Sequence, residues 1–409
     1  MKKLLAGLFL LGSVLAFAAG EKRVPIEKME LNQQTSMVYV QGEQTPFTGT
    51  VEARYENGKL EHEISYKNGK IEGIIKSYYP NGKLEEEQTY KNNVRDGITK
   101  RYYENGNLKY DTSYKNNKKD GIEKIYSPDG KLEMEVPYKN GVKDGVQKQY
   151  SKDGKLIVEA TLKNNLRNGS YKDYFENGKI ENEGMYKDDK EEGIHKEYYP
   201  NGKIKKEVEF KAGIPNGIAR EYNEKGIKEK ETSFKNGIED GIRKNFYKNG
   251  NLKYSVEMKN GVENGAFKQY YENGKLEMQT NYKNGKLEGI NKHYSLNGAL
   301  EEEVEYKNGK MEGSSKLFYP SGKLKSIATF KNGLQVGEQK DYYEDGKLKL
   351  EALYKNGNRE GITKSYYQNG KIQLEAYFKN GVLDGPVKKY DETGKLINQI
   401  NFKNGQEIK

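Results

Sequence analysis

Gly73, Ile74, Ile75, Lys76, Ser77, Tyr78, Tyr79, Pro80, Asn81, Gly82, Lys83, Leu84, Glu85, Glu86, Glu87, Gln88, Thr89, Tyr90, Lys91 and Asn92 form a stretch that returns, with changes, every 24 residues. Glycine recurs at Gly58, Gly82, Gly106, Gly130, Gly154, Gly178 and Gly202 and onward to Gly394, fifteen times in all. A second series runs from Gly49 and Gly73 to Gly385, also fifteen times. No insertion or deletion breaks either series, so every unit meets its neighbours in the same way. A fixed period of this length marks stacked repeats rather than a set of globular domains.

Each unit reads as two short strands and two turns. Strand A is expected at about 74 to 79 and strand B at about 83 to 91, followed by a turn to Gly97. Asn81-Gly82 between β-prone residues marks a hairpin. The residue before Asn is proline at Pro80, Pro128, Pro200 and Pro320, and proline has no N–H for a ladder. A three-residue loop is therefore preferred to a two-residue one, with Pro at the first corner of a type I turn and Gly in the left-handed position.

That loop, with simple alternation beyond it, places 74, 76 and 78 on one face with 84, 86, 88 and 90. The columns suit an apolar face. The Tyr78 column is aromatic in fourteen of fifteen units, the Leu84 column is Leu or Ile in fourteen, broken only by Lys228, and the Tyr90 column is aromatic in thirteen, with Leu162 and Met258 as exceptions. The Gln88 column is mostly small or β-branched. Cross-strand pairs of this kind contribute roughly 0.2 to 1 kcal/mol each, enough in number to hold a thin sheet. The other face is expected to be polar, carrying the Glu87 column, which is acidic in eleven units. The fold expected is all-β: an elongated single-layer antiparallel sheet of about fifteen consecutive hairpins.

Lysine fills the Lys91 column in all fifteen units, and the Lys76 column is basic in fourteen. Solubility, balance against the glutamates and protection of the sheet from edge pairing explain this plainly. A sharper reading is an anion-binding ladder, because two strands at roughly 4.8 Å each space equivalent lysines about 10 Å apart. The candidate binding ladder is Tyr78, Tyr102, Tyr126, Tyr150, Tyr174 and Tyr198, together with Lys91, Lys115, Lys139 and Lys163.

A composition of 33% hydrophobic and 32% charged residues leaves material for only a thin core. The net charge of +10 is spread along the chain without a basic arm, which is no nucleic-acid signature. Cysteine is absent, which excludes disulfides and thiolate chemistry. Met1, Lys2 and Lys3 precede an apolar stretch from Leu4 to Phe17, and Ala16 and Ala18 occupy the small positions signal peptidase needs, so a signal peptide cleaved after Ala18 is expected. That stretch is shorter than the ~20 residues a spanning helix needs. Residues 19 to 45 do not keep the period and read as an N-terminal cap; the repeats follow from 46 to 409. The mature chain is expected in the periplasm, on the cell surface or outside the cell.

No catalytic constellation emerges. His62, His195 and His293 fall in different columns several units apart, and a catalytic histidine needs partners within hydrogen-bond reach. The glutamate columns offer carboxylates but no unique cleft, and the glycines match no phosphate loop. No enzyme, metal or cofactor is expected.

The reiterated Tyr-Tyr-x-Asn-Gly-Lys-Leu, the Glu five residues past that Gly, and the Tyr-Lys-Asn-Gly-x-x-x-Gly join resemble bacterial MORN repeats, specifically the antitoxin-like variant, over about residues 46 to 409. The resemblance implies an open sheet of hairpins and a binding or scaffolding role. The expected function is a binding or scaffolding surface at the cell envelope. The alternatives are a structural spacer or assembly element of the envelope and an antitoxin-like inhibitor of a partner protein, the last opposed by the export signal. The expected partner is a protein, a glycan or an anionic lipid surface, with self-association through the apolar face as a further mode and no nucleic acid.

Overall fold

The computed structural model describes residues 22 to 408, so the expected signal segment lies outside the described residues. The chain divides into two compact units. One runs to Ile180 and includes Tyr186–Lys190; the other holds Glu181–Met185 and everything from Glu191 onward. Among the described residues the regular structure is β throughout, apart from one 3-10 turn at Ile26–Lys28. In each unit the repeat strands pair antiparallel with their sequence neighbours in an open, single-layer sheet of consecutive hairpins. In the first unit Lys70–Tyr78 pairs with Leu84–Lys91, which pairs with Val94–Tyr102. In the second, Val262–Tyr270, Leu276–Lys283 and Lys286–Tyr294 follow in the same way. This is the expected fold class.

The two turns differ in kind. At the first, the Gly82 N–H donates to the Tyr79 carbonyl at 2.7 Å and the Tyr79 N–H to the Lys83 carbonyl at 2.8 Å. Gly82 sits at φ 89°, so the loop is Pro80, Asn81 and Gly82, as the prolines indicated. At the second, Lys91 lies opposite Val94, and Asn92 and Asn93 have φ of 50° and 65°. Two left-handed residues in a two-residue loop make a type I′ turn, whose twist suits a hairpin. The expected turn from Asn92 to Gly97 is therefore replaced by a shorter one, and strand A begins earlier than expected, at Lys70 or Val94. Gly97 lies inside a strand at a bulge.

The register corrects the expected faces. Tyr78 opposes Leu84, but beyond that pair the register shifts: Ser77 opposes Glu86, Lys76 opposes Glu87, Ile75 opposes Gln88 and Ile74 opposes Thr89. Glu85 is the extra residue of a β-bulge, and one extra residue exchanges the faces of everything beyond it. Residues 74, 76 and 78 therefore share a face with 87, 89 and 91, not with 86, 88 and 90. The same shift recurs in the second unit, between Gln269 and Tyr270.

The core is one row thick and sits on the face of residues 75 and 88. Its buried members include Thr99, Thr112, Val136 and Ala160 in the first unit and Ala219, Thr232, Val256, Thr280, Val304, Ala352 and Ala376 in the second. These are small or β-branched, as suits one row between neighbouring strands; the longer Glu123, opposite Val136, is also buried and accepts a hydrogen bond from Thr112 at 3.0 Å. Leu162 and Met258, the exceptions of the Tyr90 column, are buried beside this row. At the N-terminal end, Arg23–Pro25 pairs in parallel with Gly49–Arg54, and Val24, Phe47 and Val51 form a small buried cluster.

At Gly97 the second glycine series has a steric cause. Gly97 has φ 130° and a Cβ there would stand 2.8 Å from the Thr89 side chain, so alanine is both strained and crowded. Gly97→Ala is expected to destabilise the chain by about 1–3 kcal/mol, measured as a shifted denaturation midpoint; an unchanged midpoint would contradict this bulge geometry.

Candidate interaction face

The face that carries residues 74, 76, 78, 87, 89 and 91 holds the chemistry. Along its middle, bases and acids alternate from strand to strand. Glu63 opposes Lys76, Lys76 opposes Glu87, Glu87 opposes Lys100, and Lys100 opposes Asp111. In the second unit Glu231 meets Arg220 at 3.3 Å and Lys244 at 3.0 Å, and Glu303 meets Lys292 at 3.4 Å and Lys316 at 3.0 Å. Pairs this exposed contribute about 0 to 1 kcal/mol each, so the row sets register and local neutrality more than stability. Partial burial opposes the charge on Glu231, but hydrogen bonds from Lys228 and Lys244 outweigh it and hold the carboxyl at about 2. Lys228, which interrupts the leucine column, also lies 4.8 Å from the centre of the Phe246 ring.

The tyrosines of the candidate ladder lean onto these acids. Tyr78 donates to Glu63 at 2.5 Å, Tyr102 to Glu87 at 3.2 Å, Tyr150 to Glu135 at 3.0 Å, Tyr174 to Glu159 at 3.2 Å and Tyr198 to Glu183 at 2.6 Å. Tyr126 stands in the field of Asp111. Burial first, and the accepting carboxylate second, raise the hydroxyls of Tyr78 and Tyr198 well above the ordinary phenol range. Lys91, Lys115, Lys139 and Lys163 each close a two-residue turn at the edge of the same face and are exposed. Gly58, Gly82, Gly106, Gly130, Gly154, Gly178 and Gly202 all hold the left-handed turn position, with φ between 78° and 96°. The structure thus brings the tyrosine, lysine and glutamate columns onto one face.

Between the charged row and the Lys91 column runs a row of exposed aliphatic side chains. In the first unit it is Ile74, Ile98, Ile122 and Val146; in the second it includes Ile194, Ile218, Ile242, Ile290 and Ile362. Isoleucine suits a strand, and here the row of them faces solvent. These residues were expected on the apolar face, and only the bulge at Glu85 reveals them as exposed.

A second set of residues, whose role the sequence alone did not show, stitches repeats together. Tyr55, Tyr79 and Tyr103 in the first unit, and Tyr199, Tyr247, Tyr271, Tyr319, Tyr343 and Tyr367 in the second, each donate a hydroxyl hydrogen bond to the carbonyl 23 residues on, at 2.6 to 2.8 Å. Where the column is Ser127, Ser151, Asn223, Ser295 or Asp391, the side chain instead accepts an N–H of its own turn. On the opposite edge the residue before most second-series glycines takes a turn N–H, as Glu72 does from Asn92 at 2.7 Å and Glu312 from Asn332 at 2.7 Å. The repeated motif residues therefore largely serve architecture.

The histidines lie apart. His62 hydrogen-bonds Ser77 at 3.0 Å, His195 meets the Met185 carbonyl at 2.7 Å, and His293 approaches Glu301 at 3.4 Å. Among the described residues no group of three or more acidic, His or Cys side chains is arranged to hold a metal ion, and no helix is long and apolar enough to cross a membrane.

The family described as "MORN repeat variant" matches residues 47–68, 71–92, 95–116, 119–140, 143–164, 167–188, 191–212, 239–260, 263–284, 287–308, 311–332, 335–356, 359–380 and 383–404. The unmatched stretch between 212 and 239 contains Lys228 and Asn223, yet keeps its hairpin, Ile214–Tyr222 against Lys228–Lys235. No curated protein matches the chain. Among solved structures, a crystal structure of TcdB2-TccC3-Cdc42 is similar at 12% identity over 88% of this chain and 24% of that one, with a TM-score of 0.16. A Photorhabdus luminescens Tc holotoxin pore carrying a TccC3 mutation is similar at 12% identity over 88% of this chain and 19% of that one, also with a TM-score of 0.16. The chain thus spans about a quarter or less of the solved chains it resembles.

Proposed function

The chain belongs to the MORN repeat family, in its variant form, and on that premise we propose that it is a non-enzymatic exported repeat protein whose charged and aliphatic face binds or scaffolds a partner at the cell envelope. The observation that carries this reading is the row of exposed isoleucines on a face otherwise filled by ion pairs. Aliphatic surface in water is unfavourable by roughly 25 cal/mol per Å², and repetition of it at one position in successive hairpins suits a partner that covers several units. The basic start, the apolar stretch after it and the Ala16 and Ala18 pair support export. The turn-to-turn hydrogen bonds favour a second reading, a spacer whose stiffness is its function.

Substituting Ile194→Lys, Ile218→Lys and Ile242→Lys together separates the two. Wild-type chain is expected to retain a specific partner from an envelope fraction, and the triple variant to lose it while its circular dichroism is unchanged. Equal retention by both would reject this face as the binding surface.

A further inference from the structure

In two successive repeats of the second unit the acidic column loses its acids together: Ser255 and Gln279 stand where Glu231 and Glu303 stand on either side. The register makes this one event, because Lys268 lies directly opposite Ser255 on one strand and opposite Gln279 on the other. Lys268 therefore has no carboxylate cross-strand neighbour. It is exposed, while the other basic residues of its column, from Lys76 to Lys388, are half-buried. Its neighbours in the row are engaged outward, Lys244 with Glu231 at 3.0 Å and Lys292 with Glu303 at 3.4 Å.

The same replacement releases a tyrosine. Tyr198 and Tyr366 donate to the glutamate fifteen residues back; for Tyr270 that position is Ser255, and its hydroxyl makes no hydrogen bond among the described residues. The missing carboxylates thus leave the Lys268 ammonium and the Tyr270 hydroxyl beside Ser255 with no carboxylate directly opposite, while Gln279 donates its amide N–H to the Tyr294 hydroxyl at 3.3 Å. Beside it run Ile242, Ala266 and Ile290, the isoleucines exposed. The carboxylate of Glu257 lies one row away, over Gly265.

We propose that the Ser255, Lys268, Tyr270 and Gln279 patch docks an acidic peptide segment of a partner protein, in which a side-chain carboxylate takes the place that glutamate holds in the other repeats. A carboxylate accepts from ammonium and phenol donors in charge-assisted hydrogen bonds, and it restores the acid and base alternation of the row. A peptide is favoured over an acidic polysaccharide because the adjacent row is aliphatic: neighbouring leucine or isoleucine side chains of a peptide cover Ile242, Ala266 and Ile290, whereas an acidic sugar polymer presents hydroxyls and carboxylates but no aliphatic side chains. The inference rests on the reading of this face as a docking surface.

The test is a titration of the full mature chain with a short synthetic peptide alternating glutamate and leucine, with its glutamine counterpart, and with galacturonate oligomers. The glutamate peptide is expected to bind, and the variant S255E/Q279E to bind it at least about tenfold more weakly, since a charge-assisted contact of this kind is worth that much or more. Glutamate is the regular residue at both positions, so the variant is compatible with the fold, which circular dichroism checks. K268Q is expected to weaken binding in the same way. Equal binding to wild type and S255E/Q279E, equal binding of the glutamine peptide, or preference for galacturonate would each overturn the proposal. If these occur while envelope capture still depends on Ile194, Ile218 and Ile242, only this local site is rejected; loss of that dependence rejects the docking face itself.

Discussion

Deleting residues 287 to 310 is expected to leave a β-structured chain whose denaturation midpoint falls by no more than about 2–4 °C, since a 1 kcal/mol change shifts a domain of about 200 residues by that much and a longer chain by less. Deleting 287 to 298 is expected to abolish the cooperative transition in that region. The longer deletion removes one whole period and joins Lys286 to Met311, which reproduces the native sequence at Lys310 and Met311. Every turn, bulge and cross-strand neighbour is kept, and in a stacked array the loss is one unit and one interface. The shorter deletion removes a strand A and sets two B strands side by side. Lys292, which opposes both Gln279 and Glu303, disappears, and so does the Tyr294 carbonyl that accepts the Tyr271 hydroxyl at 2.7 Å. Hydrogen exchange or thermal scans of the two chains decide the matter, and a shorter deletion that is tolerated as well as the longer would contradict the register described here.

High pH is expected to unfold the chain abruptly. Burial and hydrogen bonds to Glu63, Glu183 and Glu351 raise Tyr78, Tyr198 and Tyr366 well above the ordinary value of 10.0, and burial, then Asp173, pushes Tyr171 up to about 12. A group whose pKa is higher in the folded than in the unfolded chain contributes stability that is complete below the unfolded value and lost as pH rises through the folded one. For these tyrosines the loss therefore starts near pH 10 and grows above it. Ionisation also turns each donor into an anion facing a carboxylate. Tyrosinate absorbance should lag an ordinary phenol and then rise together with loss of the β signal in circular dichroism. Smooth titration near pH 10 with an unchanged β signal would contradict the tyrosine and glutamate pairing.

What the sequence revealed, and what it hid, follows from the range of the forces involved. The loop at Pro80, Asn81 and Gly82 was legible because its constraints are local: proline fixes φ and lacks an N–H, and glycine tolerates the left-handed position. The thin row of small residues at 88 was legible from composition at one column. The bulge at Glu85 was not, since no residue type marks it and it exists to satisfy partners on the next strand. One trace was present: the Lys76 column is basic in fourteen units and the Glu87 column acidic in eleven, and opposite charges sharing a period are best placed directly opposite. Without the bulge Ile74 looked like a core residue, and the exposed row went unseen. The role of Tyr79 was hidden because its hydroxyl bonds a carbonyl in the next repeat, a contact no local pattern contains. Ser255 and Gln279 are only two of the four departures from an acidic column in sequence, and the register alone places them on either side of Lys268.

The account of both faces stands on that register, and the absence of cysteine from the chain makes it directly measurable. Cysteines placed at directly opposed positions of one face have Cβ atoms close enough to bridge, whereas positions on opposite faces do not. Two double variants should be oxidised in the folded state: Ile75→Cys with Gln88→Cys, and Ile74→Cys with Gln88→Cys. Rapid disulfide formation in the first and little in the second is the expected result, since Ile75 opposes Gln88; preferential bridging of positions 74 and 88 would restore simple alternation, bury the isoleucine row and contradict the account.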